Sequence, residues 1–197
     1  MPTPNFTSRI ISGAWRQGFA LDLHTIRSIP VGHDEHGHLR FDTTRSEVGE
    51  LLYQLKFKGD KAAIDPLAAA AEVFLNKWNP SIDLLVPVPP STIRANPPVM
   101  LLAEAISKRL GLLLATCVTR TRDIPQLKNV TDLDERAKLL DGLHAVDKAV
   151  TQGRSILLFD DLFRSGATMN AIAAELRDKG GAADLFALTI TRTRSNL

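Results

Sequence analysis

The stretch Ile156-Leu157-Leu158-Phe159-Asp160-Asp161-Leu162-Phe163-Arg164-Ser165-Gly166-Ala167-Thr168 concentrates chemically capable side chains in one short segment. Four large apolar residues precede two acids, and a small-residue run follows them where a helical pattern opens. A helix start carries unpaired N–H groups and the positive end of the helix dipole, so Arg164, Ser165, Gly166, Ala167 and Thr168 suit an anion such as phosphate. Gly166 permits a close backbone approach or positive φ. Ser165 and Thr168 add hydroxyl donors, and Arg164 adds a charge. Asp160 and Asp161 would repel that anion. They suit neutral hydroxyls instead, from which carboxylates accept strong hydrogen bonds. The ligand so described has a phosphate at one end and a diol in the middle, as in ribose 5-phosphate. An acidic pair after an apolar strand is also the Mg²⁺-holding feature of P-loop hydrolases, but no Gly-x-x-x-x-Gly-Lys-Ser/Thr occurs in the chain. A pair that merely caps a helix or solvates a turn is the remaining alternative.

These residues need a strand to end beneath them and a helix to start beside them. Ser155–Phe159 reads as a strand buried on both faces, ending in the two carboxylates. Met169, Ile172, Ala173 and Leu176 then recur at helical spacing until Gly180-Gly181, and Leu185–Ile190 is a further strand. Upstream, Ile82–Val86 reads as a strand entering the stiff loop of Pro87, Pro89 and Pro90. Leu102, Ile106 and Leu110 share a helical face over Met100–Leu110, with Gly111 as the stop. Leu112–Val118 is the next expected strand, with Cys117 in inert packing. The alternation predicts an α/β protein with a mostly parallel central sheet flanked by helices, and ligands outside the carboxyl ends of its strands.

The first 80 residues follow another pattern. Ile29–Arg45 reads as a hairpin or extended arm, Val48, Leu51, Leu52 and Leu55 mark an amphipathic helix, and a second helix covers Ile64 to about Trp78. Residues 1–80 are expected to be an N-terminal hairpin and helical addition packed on a core of residues 81–197. His33, His36 and His38 cluster with Asp34 and Glu35 at the expected hairpin tip. A metal site there would need further ligands, and a solvated turn is the favoured reading.

Ile156–Thr168 resembles the signature by which type I phosphoribosyltransferases bind 5-phosphoribosyl-1-diphosphate (PRPP). The resemblance implies that Asp160 and Asp161 hold the ribose hydroxyls and that Arg164–Thr168 hold the 5-phosphate; Arg164 replaces the small or hydroxyl residue more usual there. Leu84-Leu85-Val86-Pro87-Val88-Pro89-Pro90-Ser91 followed by Arg94 is similar to the pyrophosphate loop of the ComF-type (competence protein F) branch, which makes Ser91 and Arg94 pyrophosphate contacts. Arg120–Asn129 with the later Arg136 resembles the mobile loop of that branch, with Lys128 and Arg136 as candidates to approach the pyrophosphate on closure. Tyr53–Asp60 also resembles the segment before the core, although chemistry alone gives it no task. Two features depart from the branch: one cysteine rules out its four-cysteine zinc module, and Arg94-Ala95-Asn96-Pro97-Pro98 replaces its Arg-Gly-Phe-Asn-Gln run.

The resemblance implies transfer of the phosphoribosyl group to an unidentified acceptor, a nucleobase being one candidate, with Mg²⁺ carried on the substrate. It names no catalytic base. A non-catalytic PRPP-responsive module, linked to DNA uptake or processing, stays open beside the enzyme, as does a scaffold with a vestigial site. A homodimer is compatible with the reading. Composition narrows the field further: a net charge of +2 with basic residues dispersed along the chain does not indicate nucleic-acid binding. No apolar run approaches the roughly 18–20 residues of a membrane span. Met1–Gly18 lacks the apolar stretch of a signal peptide, so a soluble cytoplasmic protein is expected.

Overall fold

A computed structural model describes residues 2–90, 96–122 and 139–194. Its central sheet has six strands, β1 (Arg9–Ile10), β2 (Gln17–Leu23), β5 (Leu84–Pro87), β6 (Leu113–Leu114), β9 (Ser155–Phe163) and β10 (Asp184–Arg192), in the order β1-β2-β10-β9-β5-β6. Every neighbouring pair is parallel except β1 with β2. The expected α/β architecture with a mostly parallel sheet is therefore present. β9 and β10 lie in the middle and are apolar on both faces, as interior parallel strands must be.

One face of the sheet is covered by α1 (Glu47–Tyr53), α2 (Ile64–Trp78) and α3 (Pro98–Leu110). Their core joins Leu52, Leu67, Ala71, Leu102 and Ile106 to Leu157, Phe159, Leu188 and Ile190. The small residues Ala68, Ala70 and Ala71 let α2 approach closely, and Asn79 closes that helix in a left-handed conformation (φ 51°). The other face carries α5 (Ala167–Asp178), whose Met169, Ile172, Ala173 and Leu176 pack on Ile156, Leu158 and Ala187. No helix among the described residues is long and apolar enough to cross a membrane.

Two short antiparallel pairs lie outside the central sheet. β3 (Thr25–His33) and β4 (Leu39–Arg45) form the expected arm, beginning four residues earlier than the sequence pattern indicates. It leaves Ile26, Val31, Leu39 and Phe41 more than half exposed. At its tip the Asp34 carboxylate accepts the N–H groups of His38 and His36, which hold its pKa below the usual carboxylate range. The second pair is β7 (Val118–Arg120) with β8 (His144–Val146), followed by the single turn α4 (Lys148–Thr151).

Two strand expectations are corrected. Leu112–Val118 is not one strand: β6 ends after Leu114, and Val118 begins β7 in a different sheet. Leu113 is largely exposed on the sheet edge, so the apolar run is not a buried strand throughout. β9 does not stop at the acids but continues to Phe163, because β10 goes on pairing with it as far as Arg192. The first 24 residues also enter the sheet, since β2 pairs with β10 from Gln17↔Phe186 to Leu23↔Arg192.

Candidate functional site

The acids sit where the two neighbours of β9 part company. β5 pairs with β9 up to Pro87↔Phe159, and the Val88 N–H donates to the Phe159 carbonyl at 2.8 Å. β10 remains paired through Asp160↔Thr189 and Leu162↔Thr191. From Asp160 onward, therefore, one side of β9 meets no described strand, and the carboxylates occupy the opening at the carboxyl end of the sheet. This is where α/β folds place ligands.

Asp161 is buried, and both its oxygens accept hydrogen bonds from Lys56 Nζ, at 2.8 and 2.9 Å. Asp160 Oδ1 accepts the Asp161 N–H at 2.8 Å. Asp160 as a residue is half-buried, but its carboxyl is desolvated. Burial first, and the adjacent Asp161 carboxylate second, push it well above the usual carboxylate range, while the Asp161 N–H and then the Lys56 ammonium pull the other way.

Beyond Phe163 the chain turns through Arg164 and Ser165, both exposed, to Gly166, the N-cap of α5. Gly166 is obligatory on two counts. Its φ is 75°, and a Cβ there would lie 2.7 Å from Phe163 Cζ. Gly166 has no side chain to cap the helix, and Ser165 Oγ accepts the Ala167 N–H only at a long 3.5 Å, so the first turn keeps N–H groups available for an anion. Asn170 braces the loop: its Nδ2 donates to the Gly166 carbonyl at 2.9 Å, and its Oδ1 accepts the Ala14 N–H at 2.7 Å. Trp15 packs edge-on against Phe163 beneath it. The structure thus brings Asp160, Asp161, Arg164, Ser165, Gly166, Ala167 and Thr168 together on one continuous strand–loop–helix unit. Ser91, Arg94, Lys128 and Arg136 lie outside the described residues.

Sequence reasoning missed Lys56, Asn170 and Gly49. Lys56 reaches Asp161 from the π turn Gln54–Lys58 that prolongs α1. Its signal was the resemblance of Tyr53–Asp60 to a family segment, with no chemistry attached to it. Gly49 lets α1 lie against the end of β2, because a Cβ there would come 2.3 Å from the His24 carbonyl oxygen. Ser46 fixes the same junction, accepting the Gly49 N–H at 2.9 Å and donating to the Leu23 carbonyl at 2.6 Å. His24, at that junction, places Nδ1 3.3 Å from Thr191 Oγ1. Burial, then the charges of Arg45 and Lys56, lower its basicity.

No family model matches the chain. It is 27% identical over 150 residues to competence protein ComFC of Bacillus subtilis (strain 168), covering 73% of this chain and 59% of that one. Adenine phosphoribosyltransferase of Saccharomyces cerevisiae, solved with adenine and an imino-altritol bisphosphate, superposes with a TM-score of 0.50 at 16% identity, over 87% of this chain and 88% of that one. The chain is similar to a ComF-type protein and has the type I phosphoribosyltransferase fold. The glutamine PRPP amidotransferase of B. subtilis, solved with ADP and GMP, also gives a TM-score of 0.50 at 16% identity, covering 80% of this chain and 34% of that one. Because this chain spans only 59% of the length of that competence protein, the likeness covers part of it and not the whole.

Proposed function

We propose that this ComF-type chain binds PRPP at the carboxyl end of β9 and transfers its phosphoribosyl group to an acceptor with release of pyrophosphate. One observation carries the reading: a pair of carboxylates and a helix N-terminus whose N-cap is the bare backbone of Gly166 occupy one continuous segment, from Asp160 to Thr168. Asp160 and Asp161 accept the ribose hydroxyls. The Arg164–Thr168 loop takes the 5-phosphate through its N–H and hydroxyl donors, aided by the helix dipole. By the family resemblance Ser91 and Arg94 contact the pyrophosphate, and Lys128 and Arg136 approach it from the mobile loop.

In the reaction the bond from C1 to the pyrophosphate oxygen breaks and a bond from C1 to the acceptor forms. The acceptor loses a proton, and the pyrophosphate leaves with the bonding electron pair. Positive charge grows on the ring carbon, as in glycoside transfer, so positioning and stabilisation of the leaving group do most of the catalysis. Mg²⁺ enters with the substrate. It favours pyrophosphate and ribose oxygens with water, and Asp161 already has an ammonium against both its oxygens, so the ion is better carried by PRPP than chelated there.

Calorimetric titration of Mg²⁺-PRPP into the wild type and the Asp160→Asn/Asp161→Asn variant tests the reading. Loss of two charge-assisted contacts should weaken binding by roughly 30- to 1000-fold, or about 2–4 kcal/mol. A folded wild type that binds no PRPP would remove the proposal. The likeness to a protein named for competence favours a second reading, a PRPP-responsive module that accompanies DNA uptake or processing without turnover. Pyrophosphate release in the presence of a panel of nucleobases separates the two.

A further inference from the structure

The π turn Gln54–Lys58 is the least expected element near the acids. A π turn inserts a residue into a helix and re-aims the side chains beyond it, and such turns recur at functional sites. Here it directly prolongs α1 and ends at Gly59 in the left-handed region (φ 70°), with the Asp60 N–H returning to the Gln54 carbonyl at 3.1 Å. Leu55 is buried and anchors the turn in the core, whereas Phe57 is exposed and lies against Tyr53. Between them Lys56 extends to Asp161, its partner across 105 residues of sequence. The turn is held at both ends and delivers one ammonium to one carboxylate.

A carboxylate has about four acceptor positions, and Lys56 engages each Asp161 oxygen once. The remaining lone pairs stay available to a ribose hydroxyl, so Lys56 and the sugar need not compete. The ammonium also supplies a positive charge beside two carboxylates that are consecutive on β9. Among the described residues, His24 at the end of β2, Arg45 at the end of β4 and Glu50 on α1 are further charged or titratable groups at this corner. Arg45 is turned away, stacked 3.8 Å over the Tyr53 ring and paired with Glu50 at 3.2 Å. Lys56, by contrast, points its ammonium directly at Asp161.

We infer that Lys56 is a positioning residue of the PRPP site, fixing the plane of Asp161 for the ribose hydroxyls and setting a positive charge beside the acid pair. This inference rests on the PRPP reading for the identity of the ligand, but not for the effect of Lys56 on the acids. The Lys56 charge opposes the upward push on the Asp160 carboxyl. Without it Asp160 takes up its proton at higher pH, and a protonated carboxyl is a poorer acceptor.

The test uses the full chain as wild type, Lys56→Met and Lys56→Arg. ¹³C-carboxylate NMR of aspartate-labelled, ligand-free protein follows the titration of Asp160, with Asp160→Asn assigning the signal. Lys56→Met should move that titration to higher pH, and Lys56→Arg should leave it near the wild type. Calorimetry with Mg²⁺-PRPP should then show affinity reduced roughly 10-fold at pH 9 and roughly 100-fold at pH 7 in Lys56→Met, with Lys56→Arg recovering most of the pH profile. If Lys56→Met does not fold, Lys56→Gln keeps a donor without the charge and carries the same measurements. Superimposable titrations in wild type and the neutral variant would overturn the inference, as would a shift that Lys56→Arg fails to reverse. Wild type that binds no PRPP while the Asp160 titration still shifts would remove the substrate reading and leave the positioning role standing.

Discussion

At the scale of single residues, the acid pair sets stability against binding. The Asp160 carboxyl is raised in the folded chain, so the native state holds its proton to higher pH than the unfolded state does. Stability from this group is therefore complete below the ordinary carboxylate range and declines as pH rises from there through the raised value. Asp160→Asn removes the ionisable group while its amide oxygen still accepts the Asp161 N–H. The variant should melt higher than wild type at pH 7.5, by on the order of 1–3 kcal/mol, while losing PRPP affinity. A melting temperature equal to or below that of wild type would contradict the assigned burial. His144 acts in the opposite sense. It is buried, its Nδ1 has no partner, and burial first and Arg120 second lower it to about 4. Its contribution is complete above its unfolded value near 6.5 and is lost as pH falls toward 4, by up to about 3 kcal/mol. Thermal melts between pH 7 and 4.5 should show a steeper acid loss in wild type than in His144→Leu.

At the scale of elements, the candidate site is a junction. β9 outruns β5, turns at Gly166 and becomes α5, while Asn170 and Phe163 hold the turn from behind. Ala at position 166 meets both a positive φ and a ring 2.7 Å away. Gly166→Ala should therefore cost about 1–3 kcal/mol of stability, and should weaken binding of ribose 5-phosphate more than binding of pyrophosphate. Denaturant melts and parallel calorimetry with the two ligands check this, and equal losses would point to general unfolding. The π turn is the second such junction, converting an ordinary amphipathic helix into the arm that carries Lys56.

At the scale of the whole molecule, both ends of the chain meet in one sheet. β10 is buried along almost its whole length because β2 covers one edge and β9 the other. Arg192 ties the same region together, donating from Nη1 to the Ile10 carbonyl at 3.0 Å. A chain beginning at Thr25 would expose the edge of an apolar parallel strand, which is a template for association. Size-exclusion chromatography of that truncated chain should show aggregates. A monomer with an unchanged cooperative melt would mean that β1 and β2 contribute little to the fold.

The sequence by itself determined the α/β alternation, the extents of α2 and α5 and the make-up of the Asp160–Thr168 segment. All of these depend on neighbours within a few residues: apolar spacing for the helices, a continuous apolar run for β9, and a glycine at a helix start. Only the tertiary structure decided that β2 joins β10, that Leu112–Val118 is divided between two sheets, and that Lys56 belongs with Asp161. The physical reason is that strand partners and ion pairs are chosen across long stretches of chain. Hydrophobic period reports which side of an element is buried, but not which element buries it.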